Sequence, residues 1–397
     1  MPTMPSLTVA EYFAGIGLMR LGLDQGGWST VFANDIEGKK KEMYCHHFGA
    51  SPEFVLGDIH ALDVAAIPST VLATASFPCN DLSLAGARKG LSGQHSSAFW
   101  GFISILEQMG SRRPPLILLE NVTGFLTSNN GEDFREALLA VNKLGYSVDA
   151  FIIDASRFVP QSRQRLFVVG QRVETMRIAE TPNLFESELR PAALADFILW
   201  HPEIQWNLRH LPNLPRHEMK LADIIEELSP NSAAWWSRER CDYLLNQMSP
   251  KHRAQAETMI HGKQRTYATV FRRVRASGSM AELRTDGIAG CLRTPRGGSG
   301  RQILFVAGRG RFAVRLLTAR ECARLMGASE FRLNVPLNQA LFGFGDAVCV
   351  PAVRWIADNY LTPLATALYA KTEEANQEHR SIRYGSRPTA RKRSASA

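Results

Sequence analysis

Short apolar runs alternate with amphipathic stretches through the first 170 residues of the chain. Residues 7–13, 30–34, 54–56, 71–77, 116–120, 147–154 and 165–170 are rich in β-branched, aromatic and other apolar side chains, and they read as strands. Residues 17–25, 39–48, 97–109 and 134–144 place apolar side chains three and four apart, and they read as helices. Strands that alternate with helices in this way predict an α/β fold on a doubly wound, mostly parallel sheet. Such sheets bind ligands outside the carboxyl ends of their strands. The residues that follow each apolar run are therefore where chemistry is expected.

Beyond residue 170 the periodicity weakens, and Pro, Asn, Trp and Arg become frequent. Residues 186–315 read as a second, smaller, irregular and β-rich domain. Helical spacing returns at Thr318, a candidate N-cap with Glu321 three residues on and Gly327 as C-cap. Residues 351–368 read as a last helix. The expected organisation is a domain over 1–185 completed by 316–370, the second domain over 186–315, and a disordered basic tail over 371–397.

Charge sharpens this division. Residues 201–320 carry 20 Lys and Arg against 10 Asp and Glu, and the rest of the chain 26 against 28, so one segment holds the whole excess of +8. A basic block in an otherwise balanced protein is the footprint of a polyanion partner. No uninterrupted apolar run approaches the roughly 18 residues that cross a bilayer, and the first eight residues lack the regions of a signal peptide. The 6 cysteines are scattered without a Cys-x-x-Cys pair, which excludes a zinc ribbon and a disulfide framework. The expectation is a cytoplasmic protein with no metal and with free thiols.

One thiol, Cys79, follows an apolar strand in Phe77-Pro78-Cys79-Asn80, and Glu120-Asn121-Val122 ends the strand that comes 41 residues later. A cysteine in such a turn is a candidate nucleophile, and a carboxyl at the next strand end is a candidate acid. Phe13-Ala14-Gly15-Ile16-Gly17 turns from the first strand into a helix, where glycines let backbone approach a ligand. Asp35 ends the second strand and can hold ribose hydroxyls. Asp58 ends the third and can accept from an adenine amino group. The three-glycine phosphate fingerprint is missing, so an adenosine cofactor without a required pyrophosphate fits, and S-adenosylmethionine is the obvious one. Arg163 and Arg165, two apart before an apolar run, share a face and can depress a nearby thiol's pKa or grip an oxygen.

In order and spacing these segments, with Arg320-Glu321-Cys322-Ala323-Arg324-Leu325-Met326-Gly327 and Gly345-Asp346-Ala347-Val348, resemble the DNA (cytosine-5) methyltransferases over residues 7–170 and 316–365. The resemblance implies methyl transfer to C5 of a flipped cytosine in a specific duplex sequence. Cys79 would attack C6 while Glu120 holds N3, Arg165 would contact O2, and Arg163 would sit by Cys79 and the catalytic loop. It assigns cofactor contacts to Phe13, Ala14, Gly15, Gly17, Asp35, Ile36, Asp58, Ile59, Pro78, Asp346, Ala347 and Val348. Residues 80–98 become a loop that closes over DNA, with Ser83, Arg88 and Lys89 as contacts.

The basic block becomes the target-recognition domain. Its candidate DNA contacts are Arg272, Arg273 and Arg275 in one run, and Arg293, Thr294, Arg296, Ser299, Arg301 and Gln302 in a second. Double-stranded DNA is the implied partner, with a restriction endonuclease acting on the same site, and the enzyme is expected to be a monomer. Asn80 stands where the family most often has Gln, and Asp346 where it usually has Asn. Residues 93–97 depart from the Asp-x-Arg-Gly stretch common in the loop. Two rival readings are an RNA cytosine methyltransferase on the same scaffold, which would lack so large a basic domain, and a catalytically silent DNA-binding relative.

Overall fold

The computed structural model of the chain describes residues 6–78, 97–172, 187–216, 218–275, 278–294 and 301–370. Seven strands, β1 (Thr8–Tyr12), β2 (Ser29–Asp35), β3 (Phe54–Leu56), β4 (Leu72–Ala75), β5 (Leu116–Val122), β6 (Tyr146–Asp154) and β7 (Gln164–Arg172), form one sheet in the order β3-β2-β1-β4-β5-β7-β6. β7 runs antiparallel to both neighbours, and the other pairings are parallel. The fold is α/β with a mostly parallel sheet, as the alternation predicts.

Alternate residues of a strand point to opposite faces, and the apolar runs are buried on both. Leu116, Leu118, Phe167 and Val169 face one layer, with α1 (Leu18–Gln25) and the carboxy-terminal helices α9 (Ala319–Leu325), α10 (Leu337–Asp346) and α11 (Val350–Ile356). Ile117, Leu119, Leu166 and Val168 face the other, with α3 (Ser97–Met109), α4 (Glu132–Lys143) and α5 (Ala192–Trp200). A leucine or phenylalanine fully withdrawn from water in these layers stabilises by about 1.5–3 kcal/mol. α2 (Gly38–Phe48) covers the β2–β3 edge through Tyr44 and Phe48.

A second sheet, in the order β11-β10-β8-β9, comprises β8 (Thr266–Arg275), β9 (Gly278–Arg284), β10 (Ile303–Gly308) and β11 (Arg311–Leu316), all antiparallel. Ile303, Phe305 and Ala307 pack under α7 (Arg238–Asn246) and α8 (Pro250–His261), while Leu304 and Val306 join the core of the large domain. The second unit was expected to begin at residue 186. The structure instead packs Leu189, Leu211, Leu214 and α6 (Leu221–Ile224) into one layer of the large sheet, and Leu194, Phe197, Ile204 and Trp206 into the other. The segment alternates short helices, α5 and α6, with irregular backbone.

The Thr318 capping box forms: its hydroxyl accepts from the Glu321 N–H, and the Glu321 carboxylate accepts from the Thr318 N–H. The helical run Leu337–Ala370 is long and apolar enough to cross a membrane, contrary to the expectation from uninterrupted runs, but 67% of its apolar window is buried. Its apolar faces fill the core through Leu341, Phe344, Val353 and Ile356.

Candidate active site

Parallel pairing aligns the strand ends. Tyr12 lies opposite both Asn34 and Ala75, Asp35 opposite Leu56, and Ala75 opposite Leu119. Phe13, Asp35, the Gly57-Asp58 turn, Pro78 and Glu120 therefore converge on one edge of the sheet.

The turn after β1 holds three residues with positive φ: Phe13 at 59°, Gly15 at 58° and Gly17 at 84°. A bulky residue with such a φ costs of order 1–3 kcal/mol and persists only where its surroundings enforce it. Gly17 is required by packing as well, because a Cβ there would lie 2.4 Å from the Phe48 ring. The buried Asp35 carboxylate accepts from the N–H of Gly15 at 2.9 Å and of Glu37 at 2.8 Å, which fixes the turn against β2. Asn34 donates to the carbonyls of Val55 and Gly57, which holds the third strand end in place. Asp58 caps the next turn by accepting from the His60 N–H. Ile36, beside Asp35, is 64% exposed, an apolar surface next to fixed carboxylates. A buried carboxylate, an exposed aliphatic face and a glycine turn fit a nucleoside.

Asp346, the departure from the family's Asn, is paired with Lys40 of α2 at 3.0 Å. Burial lowers the Lys40 pKa, but Asp346, Asp35 and Glu37 together hold it above its ordinary value. The additional carboxylate is thus neutralised from within the fold.

At the catalytic end, Glu120 is buried and its carboxylate lies 3.0 Å from Nε of Arg165. β5 pairs Val122 with Arg165, so Glu120 and Arg165 are diagonal neighbours on one face of an antiparallel ladder. Asn121, also buried, donates to the Phe77 carbonyl at 3.3 Å and thereby ties the end of β5 to the segment entering Pro78. Cys79, Asn80, Ser83, Arg88, Lys89 and the rest of the expected closing loop up to residue 96 lie outside the described residues.

Arg163 is 2% exposed, and its guanidinium donates to three backbone carbonyls and one thiol. One terminal nitrogen donates to the Leu292 carbonyl at 2.8 Å and to Cys291 Sγ at 3.3 Å; the other donates to the carbonyls of Gly345 (3.0 Å) and Ala347. Gln161, fully buried, donates to the Leu325 carbonyl and accepts from the Leu292 N–H. These two side chains clamp the start of the second basic run to the carboxy-terminal helices. The approach is close: a Cβ on Gly345 would lie 2.5 Å from the Thr294 nitrogen. Burial alone would raise the Cys291 thiol, but Arg163, Arg165 and Arg293 together hold it below its ordinary pKa.

The expected DNA contacts are placed unevenly. Arg293 is exposed and Thr294 half-buried at the clamp. Arg301, half-buried, donates to the Asn338 side chain of α10 at the surface, whereas Gln302 is buried with its amide on the Cys291 carbonyl and shapes the segment from inside. Arg272 lies near the Trp236 ring that Arg240 covers, and Arg273 pairs loosely with Glu282 at 3.5 Å. Arg296, Ser299 and the Arg275 side chain fall outside the described set, as does the tail from 371. Sequence reasoning gave no role to Asn121, Lys40 and Asn34. Asn121 had a signal, the Glu-Asn-Val run; Lys40 had none, because its partner is about 300 residues away.

A glycine turn, strand-end carboxylates and a buried Glu–Arg pair at one sheet edge define an α/β protein with a candidate ligand-binding site at that edge. The particular family follows from comparison. The sequence profile of the C-5 cytosine-specific DNA methylases matches residues 7–362, and the chain belongs to that family. It is similar to the type II methyltransferase M.HaeII of Haemophilus aegyptius, 27% identical over 92% of this chain and 96% of the other. It is also similar to M.HhaI of Haemophilus parahaemolyticus, 26% identical over 90% and 94%. Among solved structures, the S. pombe Dnmt2 methyltransferase superposes over 91% of this chain and 99% of the other with a TM-score of 0.59 at 19% identity. The Entamoeba histolytica methyltransferase EhMeth gives 0.61 at 15% identity, over 90% and 98%; these two likenesses speak to fold alone. The chain is a DNA cytosine-5-methyltransferase of the kind found in type II restriction–modification.

Proposed function

We propose that the enzyme transfers a methyl group from S-adenosylmethionine to C5 of a cytosine flipped out of a specific duplex sequence, through a covalent bond between Cys79 and C6, with S-adenosylhomocysteine as the other product. The observation that carries this reading is the buried Glu120–Arg165 pair, tethered through Asn121 to the segment that enters Pro78-Cys79. Bound at the glycine turn, the cofactor would supply an electrophilic methyl on a sulfonium. Phe13, Gly15, Asp35, Ile36 and Asp58 would hold its nucleoside. Everything else falls to the chain's own groups.

The Cys79 thiolate adds to C6 while Glu120 holds N3 and Arg165 the O2 oxygen, so the electron pair of the C5–C6 bond becomes available at C5. C5 takes the methyl, a base removes the C5 proton, and the thiolate leaves C6, restoring the ring. Splitting one substitution into addition and elimination is covalent catalysis. Flipping exposes the carbon that stacking hides. Arg163 and Gln161 act as positioning residues that keep the recognition segment beside these groups.

The enzyme works as a cytoplasmic monomer alongside a restriction endonuclease that cuts the same site. Cys79→Ser is expected to abolish transfer and leave cofactor and DNA binding intact, and wild type is expected to form a covalent complex on 5-fluorocytosine DNA. Retained transfer in the serine variant would exclude the mechanism. Greater transfer to tRNA than to duplex DNA would exclude the substrate. Bisulfite sequencing of DNA from expressing cells would give the target sequence.

A further inference from the structure

At one end of the small sheet, two chain segments bring four cations together without a carboxylate. β10 and β11 are joined by the turn Gly308-Arg309-Gly310-Arg311, with Gly308 opposite Arg311. The residues after α8, Lys263 and Arg265, lie against it. The Arg309 N–H donates to the Gly262 carbonyl at 2.7 Å, and the Gly310 N–H to the Ile260 carbonyl at 2.8 Å. A Cβ on Gly308 would fall 2.2 Å from the Gln264 carbonyl oxygen. Lys263, Arg265, Arg309 and Arg311 are all exposed.

No Asp or Glu occurs between Glu257 and Glu282, or between Asp286 and Glu321. The flanking carboxylates are engaged elsewhere, Glu257 with Arg253 and Asp286 with Arg284. Among the described residues no acidic side chain pairs with the four.

A second observation is independent of charge. Arg309 has φ 57° and Gly310 φ 74°. A two-residue hairpin turn with both φ values positive favours Asn-Gly, because asparagine tolerates that region better than arginine does. The position is filled against the preference of the backbone by a side chain that makes one long bond, to the Lys263 carbonyl at 3.4 Å, and still leaves its charge exposed. Strained backbone of this kind points to a use outside folding.

The patch is distinct from the recognition segment. Leu317 and Gln302, at the opposite end of β10 and β11, join the region clamped by Arg163. Six residues of strand at about 3.4 Å each separate the ends by roughly 20 Å. The observations therefore point to a ligand with several negative charges at the far end of the domain that carries the basic excess.

We propose that Lys263, Arg309 and Arg311, with Arg265 beside them, form a second, sequence-independent contact for the phosphate backbone of duplex DNA, away from the residues that face the target base. The inference rests on the reading of the chain as a DNA methyltransferase. Neutralising three phosphates changes the slope of log K against log salt by about 2.7, at roughly 0.9 per phosphate on B-DNA.

The test is fluorescence anisotropy on a 30-base-pair random-sequence duplex across a potassium chloride series, with the full chain. Lys263→Gln/Arg309→Asn/Arg311→Gln is expected to flatten the slope by about two to three while the melting temperature holds or rises, since asparagine suits the turn. Combined with Arg293→Ala, the losses are expected to add, because separated sites act independently. An unchanged slope in the triple variant would overturn the proposal, and so would losses that fail to add. Absence of salt-dependent duplex binding by wild type would instead count against DNA as the partner. Slope and melting temperature falling together would mean that the patch serves the fold, and that too would overturn it.

Discussion

Glu11 sits in the middle of the large sheet, on β1 between Ala33 and Thr74, and is 2% exposed. Neither carboxylate oxygen has a hydrogen-bond partner among the described residues. Burial raises its pKa to about 8 from an ordinary 4.5; the pull of Arg20 offsets only part of this, and Asp24 and Asp35 push the other way. The folded protein therefore holds Glu11 protonated at neutral pH, while the unfolded chain releases that proton above about 4.5. Between the two values the native state binds more protons, so stability falls as pH rises, until the folded group itself ionises near 8. At about 1.4 kcal/mol per unit, the span amounts to about 5 kcal/mol. Glu11→Gln removes the titration and keeps the shape. Urea unfolding of both proteins at pH 5.5 and pH 9 isolates the effect, because every other titrating group cancels in the comparison. At pH 5.5, one unit above the unfolded value, only about 1.4 kcal/mol of the effect is present. At pH 9 the glutamine variant is expected to be the more stable by several kcal/mol. A variant that is equally or less stable at pH 9 would refute the reasoning, since it would mean that ionised Glu11 is held by a favourable partner.

Three further outcomes follow from contacts at the site and the domain junction. Asn121→Ala removes the hold on the Phe77 carbonyl and is expected to lower kcat up to about 100-fold, the cost of a roughly 1 Å misplacement, with the Kd for S-adenosylhomocysteine unchanged by titration calorimetry. Among the described cysteines, Cys291 is expected to react first with iodoacetamide at pH 7, read by peptide mass spectrometry. Its thiol is held low by neighbouring arginines, whereas burial pushes Cys349 up to about 12 and Cys322 further still; Arg293→Met is expected to slow the Cys291 reaction. Glu321→Gln strips the charge from a fully buried pair with Arg315 and is expected to cost about 3–5 kcal/mol in urea unfolding, because the guanidinium is left uncompensated in the core.

The large sheet was legible because its strands are buried on both faces, which writes them as continuous apolar runs. Residues 116–120 and 165–170 were read that way, and they are strands. The capping box at Thr318 was legible because it is local. What escaped depends on distant partners. α10 contains Gly343 and Gly345 within ten residues, which weakens any helical signal. Yet those glycines are what let the helix approach Ile16, Met43 and the backbone of Thr294. Gln302 reads as a polar residue in a basic loop, and only the fold reveals that its amide faces inward. In the site, residue types were legible and their mutual geometry was not. Glu120 and Arg165 are 45 positions apart, and antiparallel insertion of β7 beside β5 makes them neighbours.

The small sheet is inserted between two stretches that pack on the large sheet, and both crossings are held by buried arginines. On return, β11 leads through Leu317 into α9, and the turn is fixed by Arg315, which pairs with Glu321 and donates to the Glu226 carbonyl. The segment around Leu292, ahead of β10, is pinned by Arg163 and Gln161, which lie just before β7 and its Arg165. A shift of that segment would strain the carbonyls of Gly345 and Ala347, which share the same guanidinium and flank the Lys40–Asp346 pair beside Asp35. One buried arginine thus ties the segment proposed to read DNA to the end of α10, beside the proposed cofactor site. Its loss is therefore expected to weaken duplex DNA and S-adenosylhomocysteine binding together in titration calorimetry, whereas loss of Arg165 is expected to leave S-adenosylhomocysteine binding unchanged.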